Sequence, residues 1–240
     1  MQGRRRPFFD LTRDPPADHR VPFEIDVLHR DDTLLVVDKP HFLSTTPRGR
    51  HVTESVVIRL RTELELPELS PAHRLDRVTA GVLVLTVNRV DRGAYQTLFA
   101  GRRVDKTYEA VAAVDADLEF PRVVRSRIVK LPGSPLAVQQ EGPVNAETRI
   151  ELLGHAEGTG LYRLHPSTGR THQLRLHMLS LGLPIRGDNF YPELLDTAMD
   201  DYRNPLQLLA RSLAFTDPFT GELRTFVSTR TLDHAPLTPR

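Results

Sequence analysis

Two short stretches of the chain group the residue types that could do chemistry. The first, His73-Arg74-Leu75-Asp76, sets one carboxylate among basic side chains. The second, Thr168-Gly169-Arg170-Thr171-His172-Gln173-Leu174-Arg175-Leu176-His177, is rich in arginine and histidine. A carboxylate can act as a nucleophile or a base, and a nearby guanidinium stabilises its ionised form. An Asp–Arg pair between the stretches would suit this chemistry, although such a pair is more often a structural salt bridge.

Other catalytic chemistries fit these stretches poorly. His172 and His177 are five residues apart, whereas two zinc ligands on a helix are typically four apart, so we interpret both as structural. The segment 167–171 lacks the first glycine and the lysine of a Walker A phosphate loop. A kinase catalytic loop needs Arg directly before Asp, and here Leu75 intervenes. The absence of cysteine excludes thiol chemistry and disulfides.

Composition indicates one large soluble domain. The chain has 240 residues, 26% of them charged, and a mean hydropathy of −0.33. Apolar runs such as 82–87 are too short to cross a membrane, and no signal peptide is evident, so we expect the cytoplasm. Of the 32 basic residues only three are lysine, a skew that suits nucleic-acid binding but also follows from GC-rich codon usage.

The elements that must position the two stretches can be predicted from periodicity. The first stretch precedes a run dense in β-branched residues, 82–87, which predicts a buried strand. The second opens a predicted helix over 171–182, with apolar residues at i, i+4 and i+7 from Leu174 and with Gly182 placed to end it. Arg175 then falls at the edge of the buried helix face, where a charge must be paired.

Elsewhere, strands outnumber helices and do not alternate strictly with them, which indicates an α+β fold. Thr53 is a candidate N-cap for a helix that ends near residue 64, and another helix is predicted over 90–100. The remaining predicted strands are 33–38, 106–114, 146–154, 161–165, 208–216 and 222–228, the last two forming a hairpin.

Six segments together resemble the RluA-type family of RNA pseudouridine synthases, over about residues 24–230. Besides the two stretches above, they are Thr79-Ala80-Gly81, where the family usually has Ser at position 80, Pro184 to Tyr191, Asp31 to Pro40 and Lys106-Thr107-Tyr108. The resemblance implies a mixed, mainly antiparallel sheet with a central catalytic cleft. We expect the catalytic domain over 31–240. Residues 1–30 are rich in Arg and Pro with little periodicity, which predicts a flexible basic arm, and they are too few for the S4 domain that many family members carry.

The resemblance further implies roles for individual residues. Asp76 would be the catalytic carboxylate, Arg175 its ion-pair partner, and Tyr108 the ring that stacks on a flipped uracil. Arg74 would fill the gap that the flipped base leaves in the RNA. The full set of candidates is Asp76, Arg175 and Tyr108 for catalysis and Arg74, Arg170, Lys39 and Lys106 for RNA binding. From sequence pattern alone, Tyr108 is better interpreted as a core tyrosine, and Lys39-Pro40 as a strand end first and an RNA contact second.

The implied reaction detaches uracil at N1, rotates it and rejoins it through C5, so the base must leave the RNA stack and be held meanwhile. No cofactor or metal is needed, because there is no net redox change or hydrolysis. We expect large-subunit rRNA or tRNA as partner, neither DNA nor a membrane, and a monomer. Two alternatives stay open at this point: a non-catalytic RNA-binding or ribosome-assembly protein on the same scaffold, and a hydrolase that releases the base.

Overall fold

The computed structural model describes residues 20–47 and 54–236, in which eleven strands and three helices are assigned. The helices are α1 (Val56–Glu63), α2 (Arg92–Ala100) and α3 (Gln173–Ser180). The strands are β1 (Asp26–Arg30), β2 (Leu34–Lys39), β3 (Ser70–Pro71), β4 (Ala80–Thr86), β5 (Asp105–Ala113), β6 (Arg122–Lys130), β7 (Ala137–Gln140), β8 (Ala146–Ala156), β9 (Thr159–Pro166), β10 (Leu208–Thr216) and β11 (Leu223–Val227).

The strands form one sheet in the order β1-β2-β4-β10-β5-β9-β8-β6-β7, with β11 beside β10 and β3 beside β4. Within the described residues, only the β4–β10 pair is parallel, and every other pair is antiparallel. The predicted α+β class with a mixed, mainly antiparallel sheet is confirmed. No helix in the described part of the chain is both long and apolar enough to cross a membrane.

The first half of the sheet is covered on both faces. Side chains alternate along β2, so that Leu35 and Val37 pack on the side of α1 whereas Leu34 and Val36 pack on the side of α2. Every residue of β2 and β4 is buried, which explains why their sequences are almost continuously apolar. The prediction of a buried strand after the first stretch is confirmed.

The second half of the sheet packs against α3. Leu174 and Met178 of this helix contact Ile150 and Leu164 of β8 and β9 in a second core cluster. The helix ends close to the predicted position, because Gly182, the residue after the C-cap Leu181, has φ +74°. All six residues from Gln173 to Met178 are buried, so α3 is enclosed on more than the one face that its periodicity predicts.

Several boundaries differ from the predicted ones. β1 pairs with β2 and Val21 is buried in the core, so the folded domain starts before residue 31 and the predicted boundary of the arm at residue 30 is wrong. Residues 1–19 of that arm lie outside the described residues, as does Thr53. The N-cap of α1 is Ser55, whose Oγ accepts a hydrogen bond from the Ile58 amide.

A close approach of two strands fixes the centre of the sheet. Gly81 pairs with Ala210 across the parallel β4–β10 contact and has φ +112°. A Cβ atom at this position would lie 2.3 Å from the Ala210 carbonyl oxygen, so both the backbone angle and the spacing require glycine. This contact sets β4, and the loop before it, against β10.

Candidate active site

A cavity of about 390 Å³ opens near the middle of the sheet, between the α1 half and the α3 half. Its walls come mainly from the loop 72–79 before β4, the loop 167–172 before α3, and β5. The cavity brings together six of the seven residues that the sequence nominated: Asp76, Tyr108, Arg175, Arg74, Arg170 and Lys106. The predicted central cleft is therefore present.

The loop that carries Asp76 is held rigidly from beneath. Leu75 is buried, and Thr45 Oγ1 donates to its carbonyl oxygen (2.9 Å) and accepts from its amide (3.1 Å). The Thr79 amide donates to the Asp76 carbonyl oxygen (3.1 Å) and closes a turn. The Asp76 side chain itself remains 42% exposed, so the backbone of the residue is held in place while its carboxylate is open to the cavity.

Lys39 supports the same loop instead of contacting RNA. Its side chain is fully buried, and Nζ donates to the carbonyl oxygens of Pro40 (2.9 Å), Leu43 (2.8 Å) and Arg77 (3.2 Å). Burial lowers the pKa of Lys39, an effect that the negative charge of Asp76 opposes. The prediction that Lys39 binds RNA is wrong, because a buried ammonium with three carbonyl acceptors has no donor left for phosphate.

Tyr108 combines the two roles that the sequence left open. On β5 it lies opposite Ala210 and Leu164, and its ring packs against the core clusters on both sides of the cavity that it lines. Burial and the charge of Asp76 raise the pKa of Tyr108, so its phenol is neutral at ordinary pH. The ring is thus a fixed, uncharged aromatic surface beside Asp76.

Arg175 forms its ion pair with Asp188 and not with Asp76, so the predicted partner is wrong. Nε of Arg175 donates to Asp188 Oδ2 (2.7 Å) and Nη2 donates to Oδ1, with both side chains only 1% exposed. The guanidinium also lies over the rings of Phe190 (4.8 Å) and Tyr191 (5.2 Å). A buried guanidinium needs an equally buried carboxylate, which Asp188 offers and the half-exposed Asp76 does not.

His172, which sequence reasoning took as structural, faces the candidate carboxylate. Its Nε2 lies 3.8 Å from Asp76 Oδ2, closer than any lysine or arginine among the described residues. Burial lowers the pKa of His172 to about 4, against the charge of Asp76, so the ring is neutral at pH 7. His177 is structural as predicted, because its two ring nitrogens contact Thr148 Oγ1 (2.8 Å) and Ser126 Oγ (2.9 Å).

Three basic side chains surround the cavity mouth. Arg74 is exposed and makes no hydrogen bond or ion pair within the described residues. Arg170 is exposed, with Nε donating to the Asn145 carbonyl oxygen (3.1 Å). Lys106 is partly buried and donates weakly to the Thr168 carbonyl oxygen (3.5 Å). Their positions suit contacts with the phosphates of a strand that enters the cavity.

The second loop is fixed by the side chain of Gln173. Its Oε1 accepts from Thr168 Oγ1 (2.6 Å) and from the Arg170 amide (3.1 Å), and its Nε2 donates to the Glu147 carbonyl oxygen (2.9 Å). This buried amide ties the loop to β8 and so places Arg170 and His172 at the cavity. Sequence reasoning gave Gln173 no role, although a Gln at the start of a buried helix indicates such an anchor.

The arrangement can hold and react with a planar, neutral ligand. A fixed carboxylate, an aromatic face and a neutral imidazole meet in a cavity whose mouth is basic. Within residues 20–47 and 54–236, no three His, Asp or Glu side chains are grouped so that they could hold a metal ion. The described residues could therefore act as a nucleophile or as an acid or base on one unit of an anionic polymer.

The sequence of this chain is similar to those of known proteins. The family model described as RNA pseudouridylate synthase matches residues 33–180. The dual-specificity RNA pseudouridine synthase RluA of Haemophilus influenzae is 33% identical over 207 residues, covering 84% of this chain and 91% of the relative. The protein of the same name from Escherichia coli K12 is 32% identical over 212 residues, covering 83% and 90%.

Two solved human structures are similar to this chain. Human RNA pseudouridylate synthase domain containing 4 has a TM-score of 0.65 and 26% identity, and the match covers 87% of this chain and 89% of that one. Human RNA pseudouridylate synthase domain containing 1 has a TM-score of 0.69 and 24% identity, covering 86% and 84%, a likeness that concerns the fold.

Proposed function

Because the chain belongs to the RNA pseudouridylate synthase family and isomerises uridine in RNA to pseudouridine, we propose that Asp76 is its catalytic carboxylate and that its substrates are structured rRNA or tRNA segments. The carboxylate acts on the ribose of the flipped nucleotide, as nucleophile or base. The relatives reported above are enzymes, which favours catalysis over a purely RNA-binding role on this scaffold.

One observation carries the assignment of Asp76. Its carboxylate is held by an anchored loop yet opens into the cavity that Tyr108 and Arg175 also line. A fixed reactive group costs little reorganisation when the substrate binds. A carboxylate that served RNA binding alone would repel the phosphates at this position, so its exposure here supports a reactive role.

The proposed reaction uses each neighbour differently. The bond from ribose C1′ to uracil N1 breaks, the freed base turns while it lies against Tyr108, and C1′ joins C5, which then gives up its proton while N1 gains one. Stacking holds the base without demanding one hydrogen-bond pattern, so the base can turn. Arg175, fixed by its ion pair with Asp188, forms part of the cavity wall beside Asp76.

The proposed RNA class rests on the relatives. Two of them carry the name dual-specificity RNA pseudouridine synthase, and this chain covers about nine-tenths of their length. We propose a monomer in the cytoplasm that acts on stem-loops of rRNA or tRNA. Arg74, Arg170 and Lys106 would contact the phosphates of such a stem-loop.

The test is Asp76→Asn, which removes the charge and keeps the size. We expect no isomerisation, measured as tritium release from 5-labelled uridine in an anticodon stem-loop and in large-subunit rRNA fragments, and RNA affinity within about tenfold of wild type. The matched control is Asp105→Asn, an exposed carboxylate on β5 that does not line the cavity. Turnover by Asp76→Asn would contradict the role of Asp76, whereas no turnover of either RNA by wild type would contradict the substrate class.

A further inference from the structure

His172 has an unusual backbone and a nearly enclosed ring. It is the residue before α3 and has φ +56° and ψ +20°, the left-handed region that non-glycine residues rarely adopt. Its side chain is 7% exposed and packs edge-on against the rings of Phe190 and Tyr191. Strained positions of this kind persist where the surroundings hold them and often lie in active sites. The ring is therefore held in one orientation toward the cavity.

The hydrogen bonds of Tyr191 fix which ring nitrogen of His172 carries the proton. The Tyr191 hydroxyl donates to the Ala137 carbonyl oxygen (2.7 Å) and accepts from the Ala137 amide (3.1 Å). A phenol has one proton to donate, and it is used in this bond. His172 Nδ1, 2.9 Å from the same hydroxyl, must therefore be the donor. In the neutral ring the other nitrogen, Nε2, is then an unprotonated acceptor.

Two hydrogen-bond acceptors, His172 Nε2 and the Asp76 carboxylate, consequently face each other at the cavity. Nε2 makes no hydrogen bond within the described residues, and it lies 3.8 Å from Asp76 Oδ2, which is beyond hydrogen-bond distance. The pair lacks a donor, so a ligand with a hydroxyl or N–H group would be bound between or beside them. A neutral imidazole is an acceptor for such a group, and His172 is neutral because burial lowers its pKa to about 4.

The ribose of the target nucleotide offers one suitable donor. If Asp76 acts on the sugar, as proposed above, C1′ and C2′ lie next to its carboxylate, and the 2′-hydroxyl is the donor attached to these atoms. The 3′ and 5′ oxygens of an internal nucleotide are esterified and cannot donate. The 2′-hydroxyl is also the group that distinguishes RNA from DNA.

We propose that Nε2 of His172 accepts a hydrogen bond from the 2′-hydroxyl of the target uridine, so that His172 selects a ribonucleotide and orients its sugar against Asp76. This inference rests on the proposed role of Asp76. Tyr191 acts as a positioning residue, since its hydroxyl keeps the proton of His172 on Nδ1.

The test uses His172→Asn and His172→Gln. Asparagine tolerates the left-handed backbone and its amide can still donate to the Tyr191 hydroxyl, but it has no atom at the position of Nε2. Glutamine is long enough to bring a carbonyl oxygen near that position and is the rescue variant. The substrates are one anticodon stem-loop with either uridine or 2′-fluoro-2′-deoxyuridine at the modified site, because fluorine cannot donate a hydrogen bond.

Tritium release gives kcat and KM for uridine, and competitive inhibition gives Ki for the 2′-fluoro stem-loop. We expect His172→Asn to lower kcat/KM for uridine roughly three- to tenfold, the value of one neutral hydrogen bond, and to leave Ki for the fluorinated RNA unchanged. His172→Gln should restore part of the preference for uridine. Melting temperatures and circular dichroism establish that the variants are folded.

Other outcomes overturn the inference. If His172→Asn weakens the interaction of the enzyme with both RNAs equally, His172 acts on the loop or on the base and not on the 2′-hydroxyl. If the substitution weakens the interaction with neither RNA, Nε2 accepts no hydrogen bond from the substrate. Failure of wild type to turn over the uridine stem-loop or the rRNA fragments is a separate result, because it contradicts the proposed function and not the contact.

Discussion

The guanidinium of Arg175 is among the most enclosed charges of the described residues, and it depends on one carboxylate. Asp188 neutralises it and also accepts backbone hydrogen bonds from Phe190 (2.8 Å) and Tyr191 (3.1 Å). The pair therefore links α3 to the segment that holds Tyr191 against His172. Loss of Asp188 would disturb both a buried charge and the wall of the cavity.

We expect Asp188→Asn to lower the free energy of unfolding by about 3–5 kcal/mol, because it leaves a buried guanidinium without a counter-charge. Urea unfolding measures the change. The control is Asp201→Asn, which removes the partner of the exposed Arg203 and should have no measurable effect. Equal stability of Asp188→Asn and wild type would show that the pair is not needed for folding.

Tyr108 is expected to work through its ring and not through its hydroxyl. Tyr108→Phe should keep substrate affinity and the same pH–rate profile between about pH 6 and 9, because the phenol is neutral throughout this range. Tyr108→Ala should lose about 1–3 kcal/mol of binding free energy, the value of one stacked base. Filter binding and tritium release measure both quantities. A changed profile in Tyr108→Phe would instead assign the hydroxyl a proton-transfer role.

At the scale of elements, the contact between β4 and β10 positions the Asp76 loop. Gly81→Ala should destabilise the fold by about 3 kcal/mol or more, since the added Cβ meets the Ala210 carbonyl oxygen and φ is unfavourable for alanine. Gly93→Ala in α2, where nothing lies within 4 Å, should be neutral or stabilise by up to about 1 kcal/mol. Urea unfolding of the two variants checks the prediction. Similar stabilities would show that the strands can separate at this point.

Elements with strong periodicity were predictable from the sequence, and those with weak periodicity were not. The buried strand β4 follows from an apolar run, and the end of α3 at Ser180 follows from the glycine stop at Gly182. β6 and β7 were missed because their residues alternate between exposed and half-buried without a clear apolar face. β1 was missed because it is an edge strand whose polar residues resemble those of a linker.

Site residues were predictable where a single sequence motif contains them. They were not predictable where tertiary contacts determine the burial or the partner of the side chain. Asp76 and Tyr108 reach the cavity because each belongs to a segment with its own pattern. The partner of Arg175 depends on which carboxylate is equally buried, which spacing cannot indicate. The exposure of Lys39 was misjudged for the same reason, since strand ends are usually, but not here, open to solvent.

For the molecule as a whole, buried histidines predict a loss of stability in mild acid. Burial lowers the pKa of His73 to about 3, and of His41, His172 and His177 to about 4. Below pH 6.5 the unfolded chain therefore binds more protons than the folded one, so stability falls as pH drops from 6.5 toward 4.

The slope should approach about 1.4 kcal/mol per pH unit for each histidine that stays neutral in the fold. Urea unfolding at several pH values measures this slope. His177→Gln should reduce the slope by the contribution of one histidine. Stability that is constant between about pH 7 and 5 would mean that these rings gain protons without unfolding.

The order in which the chain is made bears on when the enzyme becomes active. Ala80, just after the loop that carries Asp76, pairs with Leu209, and β10 separates β4 from β5. A ribosome releases β4 and β5 long before β10, so neither strand can pair with β10 until that strand has emerged. The nascent chain therefore carries an incomplete site, and modification of any RNA, including that of the ribosome synthesising it, begins only after β10 has emerged.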